Sequence, residues 1–258
     1  MFARVANPLR RATSSSLRDS VARMIRAALF DLGGTLYDYA ALARAEAESL
    51  AALVRWAGVE AASETILRAH RAALRRVFHA YLPRPFYLHR DLFRDAAVGM
   101  VEDLGGRCEL EHLERYRALQ WQLHRRDFVL RQGALETLQA LRARGLAIGI
   151  VSNIDEDQLA HLAALGGFER HVDWMLSSER AGSCKPDPAI FAEAVRRAGC
   201  QPGDAVFVGD TIAQDVAGAK RAGLRAVLLW HRDDRDPPDA DPRPDHIIRR
   251  LPELLTLV

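Results

Sequence analysis

Five short apolar runs, each set off from the next by a helical pattern, constrain what this chain can fold into more than any other feature. The first, residues 25–30 (IRAALF), stops at Asp31 ahead of Gly33 and Gly34, the pattern of a buried strand breaking into a tight turn. The same kind of run recurs at 146–153 (LAIGIVSN), 172–178 (VDWMLSS), 205–210 (AVFVGD) and 224–230 (LRAVLLW). Strands that alternate with helices are joined by right-handed crossovers and form a parallel sheet covered on both faces. The pattern therefore predicts an α/β fold with a Rossmann-like three-layer core.

The spacing of the runs adds a second element. More than a hundred residues separate the first strand from the second, where a simple crossover needs only about 10–12. Residues 40–126 carry apolar positions at three- and four-residue spacing, such as Leu42, Leu50, Leu53 and Val54, then Ile66, Leu67 and Leu74, then Leu113, Tyr116 and Leu119. This predicts an inserted all-helical cap domain over 40–126, broken at 82–86 (LPRPF) by two prolines. The core then comprises 24–39 and 127–258. Residues 233–244, rich in proline and aspartate, read as an exposed loop before a last strand at 246–248 and a terminal helix.

Composition matters mainly for what it excludes. No apolar run approaches the roughly 18 residues that cross a bilayer, so no membrane role is expected. Cys108, Cys184 and Cys200 are odd in number and lack metal-site spacing, which argues against a disulfide framework and fits a cytoplasmic location. Residues 1–23 hold Arg4, Arg10, Arg11, Arg18 and Arg23 against Asp19 alone. They read as a disordered or non-native extension, either a targeting segment or, as we favour, the product of a start placed upstream of Met24. The remaining arginines are scattered rather than gathered with aromatics, so nucleic acid is not an expected partner. Lysine occurs only at 185 and 220 among 36 basic residues. In a chain that prefers arginine for generic charge, Lys185 hints at a need for a compact ammonium, whereas Lys220 reads as a solvated surface residue.

Ligands of open parallel sheets sit beyond the carboxyl ends of the strands. Asp31, Ser152 with Asn153, and Asp210 end three runs, and Lys185 follows a fourth. Two carboxylates, a hydroxyl and an ammonium in one crevice suit an anionic substrate held with a divalent cation. Each has a structural alternative: Asp31 as a helix cap, Ser-Asn as a turn, and 185–188 (KPDP) as a helix start capped by Asp187 with Pro188 in the first turn.

The same residues resemble a known family. FDLGGTLYD (30–38), VSN (151–153), CKPDPAIF (184–191) and GDTIAQD (209–215) resemble, in order and spacing, the four motifs of the haloacid-dehalogenase-like (HAD) hydrolases. The resemblance implies a phosphatase acting on a small phosphorylated metabolite, as monomer or homodimer. Asp31 would attack phosphorus and form an aspartyl phosphate, dividing one displacement into two. Mg²⁺ would be held by Asp31, Asp210 and the backbone carbonyl of Gly33. Thr35, Ser152 and the amide of Asn153 would hold the phosphoryl oxygens, Lys185 would neutralise their charge, and Asp215 would orient the site unless it is only an exposed helix-start residue.

One position departs from the pattern. Most phosphatases of this kind carry an aspartate two residues after the nucleophile as general acid and base, and here that residue is Gly33. Such a loss typically costs about 10²–10⁴ in rate. Tyr37, Asp38, His89 and His124 are candidate replacements, and His89, Arg90, His124 and Arg125 are candidate anion contacts. Two other readings stay open: a 2-haloacid dehalogenase, whose family also lacks that aspartate but uses no metal, and a catalytically weak phosphate-binding or regulatory protein.

Overall fold

The computed structural model describes residues 24–232 and 234–258. The expectations for 1–23, and for position 233 within the exposed loop, lie outside the described residues. Six strands form one parallel sheet: β1 (Ala27–Phe30), β2 (Ala147–Ser152), β3 (Trp174–Ser177), β4 (Ala205–Gly209), β5 (Arg225–Leu229) and β6 (His246–Ile248), in the order β3-β2-β1-β4-β5-β6. β1 lies between β2 and β4, with Ala27 level with both Ala147 and Ala205. This register brings the carboxyl ends of three strands, and therefore Asp31, Ser152 and Asp210, side by side. The Asp31 amide extends the ladder by one bond, donating to the Val208 carbonyl at 2.9 Å.

Successive side chains of a strand point to opposite faces, and β1 is apolar throughout because both faces are covered. Ala28 and Phe30 pack with Ile148, Ile150, Val206 and Val208 under α5 (Ala134–Ala143) and α6 (Glu156–Gly166). Ala27 and Leu29 pack on the other side with Phe207 and with Ile190, Phe191 and Ala194 of α8 (Pro188–Ala198). The three layers expected from the alternating runs are present. Asp187 caps α8 by accepting from the Ala189 amide at 2.8 Å, with Pro188 in the first turn, as the sequence of that helix start suggested. Two short helices, α7 (Ser178–Ala181) and α9 (Ala217–Arg221), follow β3 and a π-turn at Ile212–Val216.

Between β1 and β2, ahead of α5, stand four helices, α1 (Tyr39–Trp56), α2 (Ser63–Tyr81), α3 (His89–Asp103) and α4 (Leu110–Asp127). They share an apolar cluster of their own, in which Leu50, Leu53 and Val54 of α1 meet Ile66 of α2, Met100 of α3 and Tyr116 of α4. α2 ends at Tyr81, just before the two prolines expected to break it. The terminal helix expected after β6 is instead a 3₁₀ segment, Leu251–Thr256, with Pro252 in its first turn. Six residues are too few to reward α-helical nucleation, and the tighter turn suffices to bury Leu251 and Leu254. Among the described residues no helix is long and apolar enough to cross a membrane.

Leu53 is fully buried in the cluster of the inserted helices. Leu53→Ala is expected to lower the free energy of unfolding by about 2–5 kcal/mol in urea titrations. A loss under about 0.5 kcal/mol, usual for surface positions, would contradict that packing.

Candidate active site

At the carboxyl end of β1 the Asp31 side chain is almost fully buried, and its two oxygens are treated differently. Oδ1 accepts from Lys185 Nζ at 2.5 Å and from Ser152 Oγ at 3.3 Å, while Oδ2 has a longer contact with the Thr35 hydroxyl, at 3.4 Å. Lys185 Nζ also donates to Asp215 Oδ1 at 2.7 Å. Burial alone would lower the Lys185 pKa, but the charges of Asp215 and Asp31 outweigh it and hold the ammonium well above its ordinary value. Asp215 is 1% exposed and takes two further bonds on Oδ2, from the Thr211 amide at 2.9 Å and the Thr211 hydroxyl at 2.6 Å. It is therefore no exposed helix-start residue. It is an anchor for Lys185.

Lys185 is fixed along its backbone as well. Asn153 accepts from the Lys185 amide at 2.6 Å and donates to its carbonyl at 2.9 Å, so one carboxamide satisfies both main-chain groups. The Asn153 side chain, which the sequence did not single out, thus sets where the ammonium starts from. Asp210, at the end of β4, completes the cluster: one oxygen from each of Asp31, Asp210 and Asp215 lies within 4.8 Å of the other two. Burial raises the carboxyls of Asp31 and Asp210 well above the ordinary range. Lys185 pulls Asp31 back down while Asp215 pushes it up, and for Asp210 the neighbouring charges of Asp31 and Asp215 add to the burial. Three converging carboxylates against one ammonium leave an excess of negative charge, and an all-oxygen donor set with that excess fits a hard divalent cation.

The Gly33-Gly34 pair has two separate causes. Gly34 has φ +80°, a left-handed conformation, and an added Cβ would overlap the Asp210 carboxylate. At Gly33 the space is taken: an added Cβ would overlap the Tyr39 hydroxyl oxygen, lie 2.5 Å from Tyr39 Cζ and stand 3.0 Å from the Tyr37 hydroxyl. Tyr39 leaves 58% of its surface in solvent, yet its phenol end reaches into the cavity beside Asp31. The rings of Tyr37 and Tyr39 meet edge to face at 5.3 Å. Burial first, and then neighbouring ionisable groups including Asp31, push both phenols up, so they stay protonated, with a hydrogen bond between the two hydroxyls. Sequence reasoning singled out Tyr37 and missed Tyr39, because Tyr39 is the first residue of α1 and its direction depends on how that helix leaves the loop.

The other expected residues divide. A cavity of about 360 Å³ is lined by Asp31, Gly33, Tyr37, Ser152, Asn153, Lys185, Asp210 and Asp215, and by His89 from α3. Thr35, fully buried, touches Asp31 Oδ2 and is not among the residues lining that cavity. Asp38 serves as the N-cap of α1, accepting from the Ala40 amide at 2.9 Å. His124 packs toward His161, 6.3 Å between rings, Arg90 pairs with Glu179 at 2.8 Å, and neither they nor Arg125 reach the cavity. Lys220, expected to be merely solvated, forms an ion pair with Asp245 at 2.7 Å. Asp155 also went unread: buried just after β2, it accepts from the His89 amide at 3.0 Å and the Arg90 amide at 2.5 Å. A core carboxylate thereby caps the first turn of α3 and carries His89 to the cavity.

A buried carboxylate at a strand end, held by an ammonium and accompanied by two more carboxylates, defines a site for displacement chemistry on an anion. The chain belongs to the haloacid dehalogenase-like hydrolase family, whose model matches residues 25–223. It is 32% identical to a glyceraldehyde 3-phosphate phosphatase of Methanopyrus kandleri, over 91% of this chain and 97% of that one. It is 40% identical to the human haloacid dehalogenase-like hydrolase domain-containing protein 3, but over 48% of this chain; the chain spans about half the length, 49%, of that relative. Among solved structures, a magnesium-bound HAD-hydrolase of Bacillus subtilis shares the fold with a TM-score of 0.74 at 19% identity, over 91% of this chain and 98% of that one.

Two outcomes follow from this geometry. Gly33→Ala is expected to cost on the order of 1 kcal/mol in thermal or urea unfolding, and close to nothing in a Tyr39→Ala background, because the phenol is what the methyl group displaces. Equal costs in both backgrounds would show that Tyr39 does not fill that space. Lys185→Met removes the ammonium from between two buried carboxylates and should destabilise the chain by about 3–5 kcal/mol; unchanged stability would contradict the ion triad.

Proposed function

We propose that the chain is a Mg²⁺-dependent phosphatase that hydrolyses a small phosphorylated metabolite through an aspartyl phosphate on Asp31. The observation that carries this reading is the inequality of the two Asp31 oxygens. Lys185 and Ser152 occupy Oδ1, while Oδ2 has a longer contact with Thr35 and no ammonium on it. Lys185 keeps the buried carboxylate ionised, and the less engaged oxygen is the nucleophile.

In the first step an Asp31 oxygen bonds to phosphorus, the phosphorus–ester oxygen bond breaks, and the leaving alkoxide takes a proton. In the second, water cleaves the acyl phosphate, releases inorganic phosphate and restores the carboxylate. Mg²⁺, held by Asp31, Asp210 and the carbonyl of Gly33, would offset the negative charge that the phosphoryl group brings beside the carboxylates. Ser152 and the Asn153 amide would hold phosphoryl oxygens, with Lys185 sharing its charge between them and Asp31. Asp215 positions Lys185. Tyr37 and Tyr39 supply protonated hydroxyls in the space where a side chain at position 33 would point, and as weak acids they favour substrates with good leaving groups.

The names of relatives support the same class: glyceraldehyde 3-phosphate phosphatase in Methanopyrus kandleri and phosphoglycolate phosphatase 1 in Pseudomonas aeruginosa, the latter 29% identical over 90% of this chain. Halide displacement is less well supported, since three clustered carboxylates need a cation that the metal-free reaction does not use.

Purified protein should release phosphate from an activated aryl phosphate with Mg²⁺, stop in EDTA, and lose on the order of 10⁴-fold in turnover as Asp31→Asn. Chloride release from 2-chloropropionate in EDTA would select the dehalogenase instead. Tyr39→Phe should slow alkyl phosphates by about tenfold or more while sparing activated aryl phosphates, whose leaving groups need no proton; equal effects on both would remove Tyr39 from proton donation.

A further inference from the structure

The two ends of the cavity differ in chemistry. The carboxyl ends of the strands make one wall polar and charged. The opposite wall comes from the inserted helices and the loop joining α2 to α3, and is built from Phe78, Tyr87 and Phe93 with His89 among them. Tyr87 and His89 stack loosely at 4.9 Å between ring centres, and His89 lies 6.4 Å from Phe93. Among the described lining residues Lys185 is the one cation, and both Asp31 and Asp215 already hold it.

From this wall we infer the class of substrate: a phosphate monoester whose leaving group is an uncharged aromatic or apolar alcohol, with no second phosphate and no carboxylate. The inference rests on the phosphatase reading for the reaction but concerns the binding of the leaving group. A second anionic group would lose part of its hydration against three aromatic rings, of which Phe93 still reaches solvent, with no free cation to receive it. An aromatic or apolar group in the same place gains burial and ring contacts.

His89 supplies the polar element of that wall. It is 8% exposed, and its Nδ1 is buried with no hydrogen-bond partner. Burial and then the charge of Lys185 push its pKa down to about 4, so the ring is neutral at physiological pH and offers a hydrogen bond rather than a counter-charge. Gln158 of α6, also on the cavity, is uncharged as well. The wall is thus equipped to receive at most a hydroxyl, ether or amide on the leaving group. This sets the chain apart from two of the substrates named for its relatives, phosphoglycolate and ribulose 1,5-bisphosphate, each of which carries a second anionic group, while glyceraldehyde 3-phosphate, named for another, carries none.

The test is equilibrium binding, so that it does not depend on turnover. Isothermal calorimetry on the full chain with Mg²⁺ compares 2-phenylethylphosphonate with 3-phosphonopropionate, stable mimics of benzyl phosphate and phosphoglycolate that differ in a phenyl ring against a carboxylate. The phenyl compound is expected to bind more tightly by on the order of tenfold or more, and Phe93→Ala to erase most of that difference while leaving 3-phosphonopropionate unchanged. Equal affinities, or tighter binding of the carboxylate, overturn the inference. So does a preference that survives both Phe93→Ala and Phe78→Ala. Steady-state hydrolysis of benzyl phosphate and phosphoglycolate then separates the two readings: turnover without the preference sinks only the substrate class, and the preference without turnover sinks only the phosphatase.

Discussion

The site depends on one buried ammonium. Lys185 Nζ lies 2.5 Å from Asp31 and 2.7 Å from Asp215, with almost no exposed surface on any of the three side chains. Without it the chain would have to bury two adjacent carboxylates unpaired, and at least one would take up a proton rather than remain ionised. A protonated Asp31 is no nucleophile. The rest of the local architecture follows from keeping Lys185 in place: Asn153 pairs with both of its main-chain polar groups, Thr211 saturates the far oxygen of Asp215, and Phe207 lies under the ammonium at 5.3 Å. Polar networks of this kind stabilise only when each member is satisfied, and here the fixed donors leave one Asp31 oxygen largely free.

Strand order explains how residues so far apart in sequence come together. With β1 between β2 and β4, the ends of three consecutive positions in the sheet deliver a carboxylate, a hydroxyl and a second carboxylate to one edge. The inserted helices then close the crevice from above, and their attachment uses the same edge. Asp155, three residues beyond Ser152, caps α3, and the Cys184 amide, next to Lys185, donates to the Pro85 carbonyl at 2.8 Å. The segments that carry the reacting groups are thus the segments that hold the helical insertion, so aromatic wall and carboxylate floor are placed relative to each other by a few short bonds.

The sheet and its polar edge were legible in the sequence because they follow from local rules. An apolar run that ends on Asp31 or Asp210 marks both a buried strand and what stands at its end, and the scarcity of lysine singled out Lys185. The family motifs sharpened this by pointing to Asp215, whose burial local pattern alone did not reveal. What could not be read depends on the packing of one segment against another. Tyr39 begins a helix and would pass as a solvent-facing residue, which by most of its surface it is. Asp155 occupies the N-cap position of α6, and its carboxylate goes instead to the amides of α3. Phe78 and Phe93 share the spacing of core residues, and only the tilt of their helices turns them toward the cavity. The missing aspartate at 33 belongs with these, since the reason for glycine there is a phenol six residues later in the chain.

The most direct test of the account is chemical identification of the phosphorylated residue. Protein quenched in acid during turnover of a phosphate ester, reduced with borohydride and mapped by mass spectrometry, should carry the reduction product of an acyl phosphate at position 31 and at no other aspartate. Turnover with an unmodified Asp31, or with the phosphoryl group on a different side chain, would contradict it.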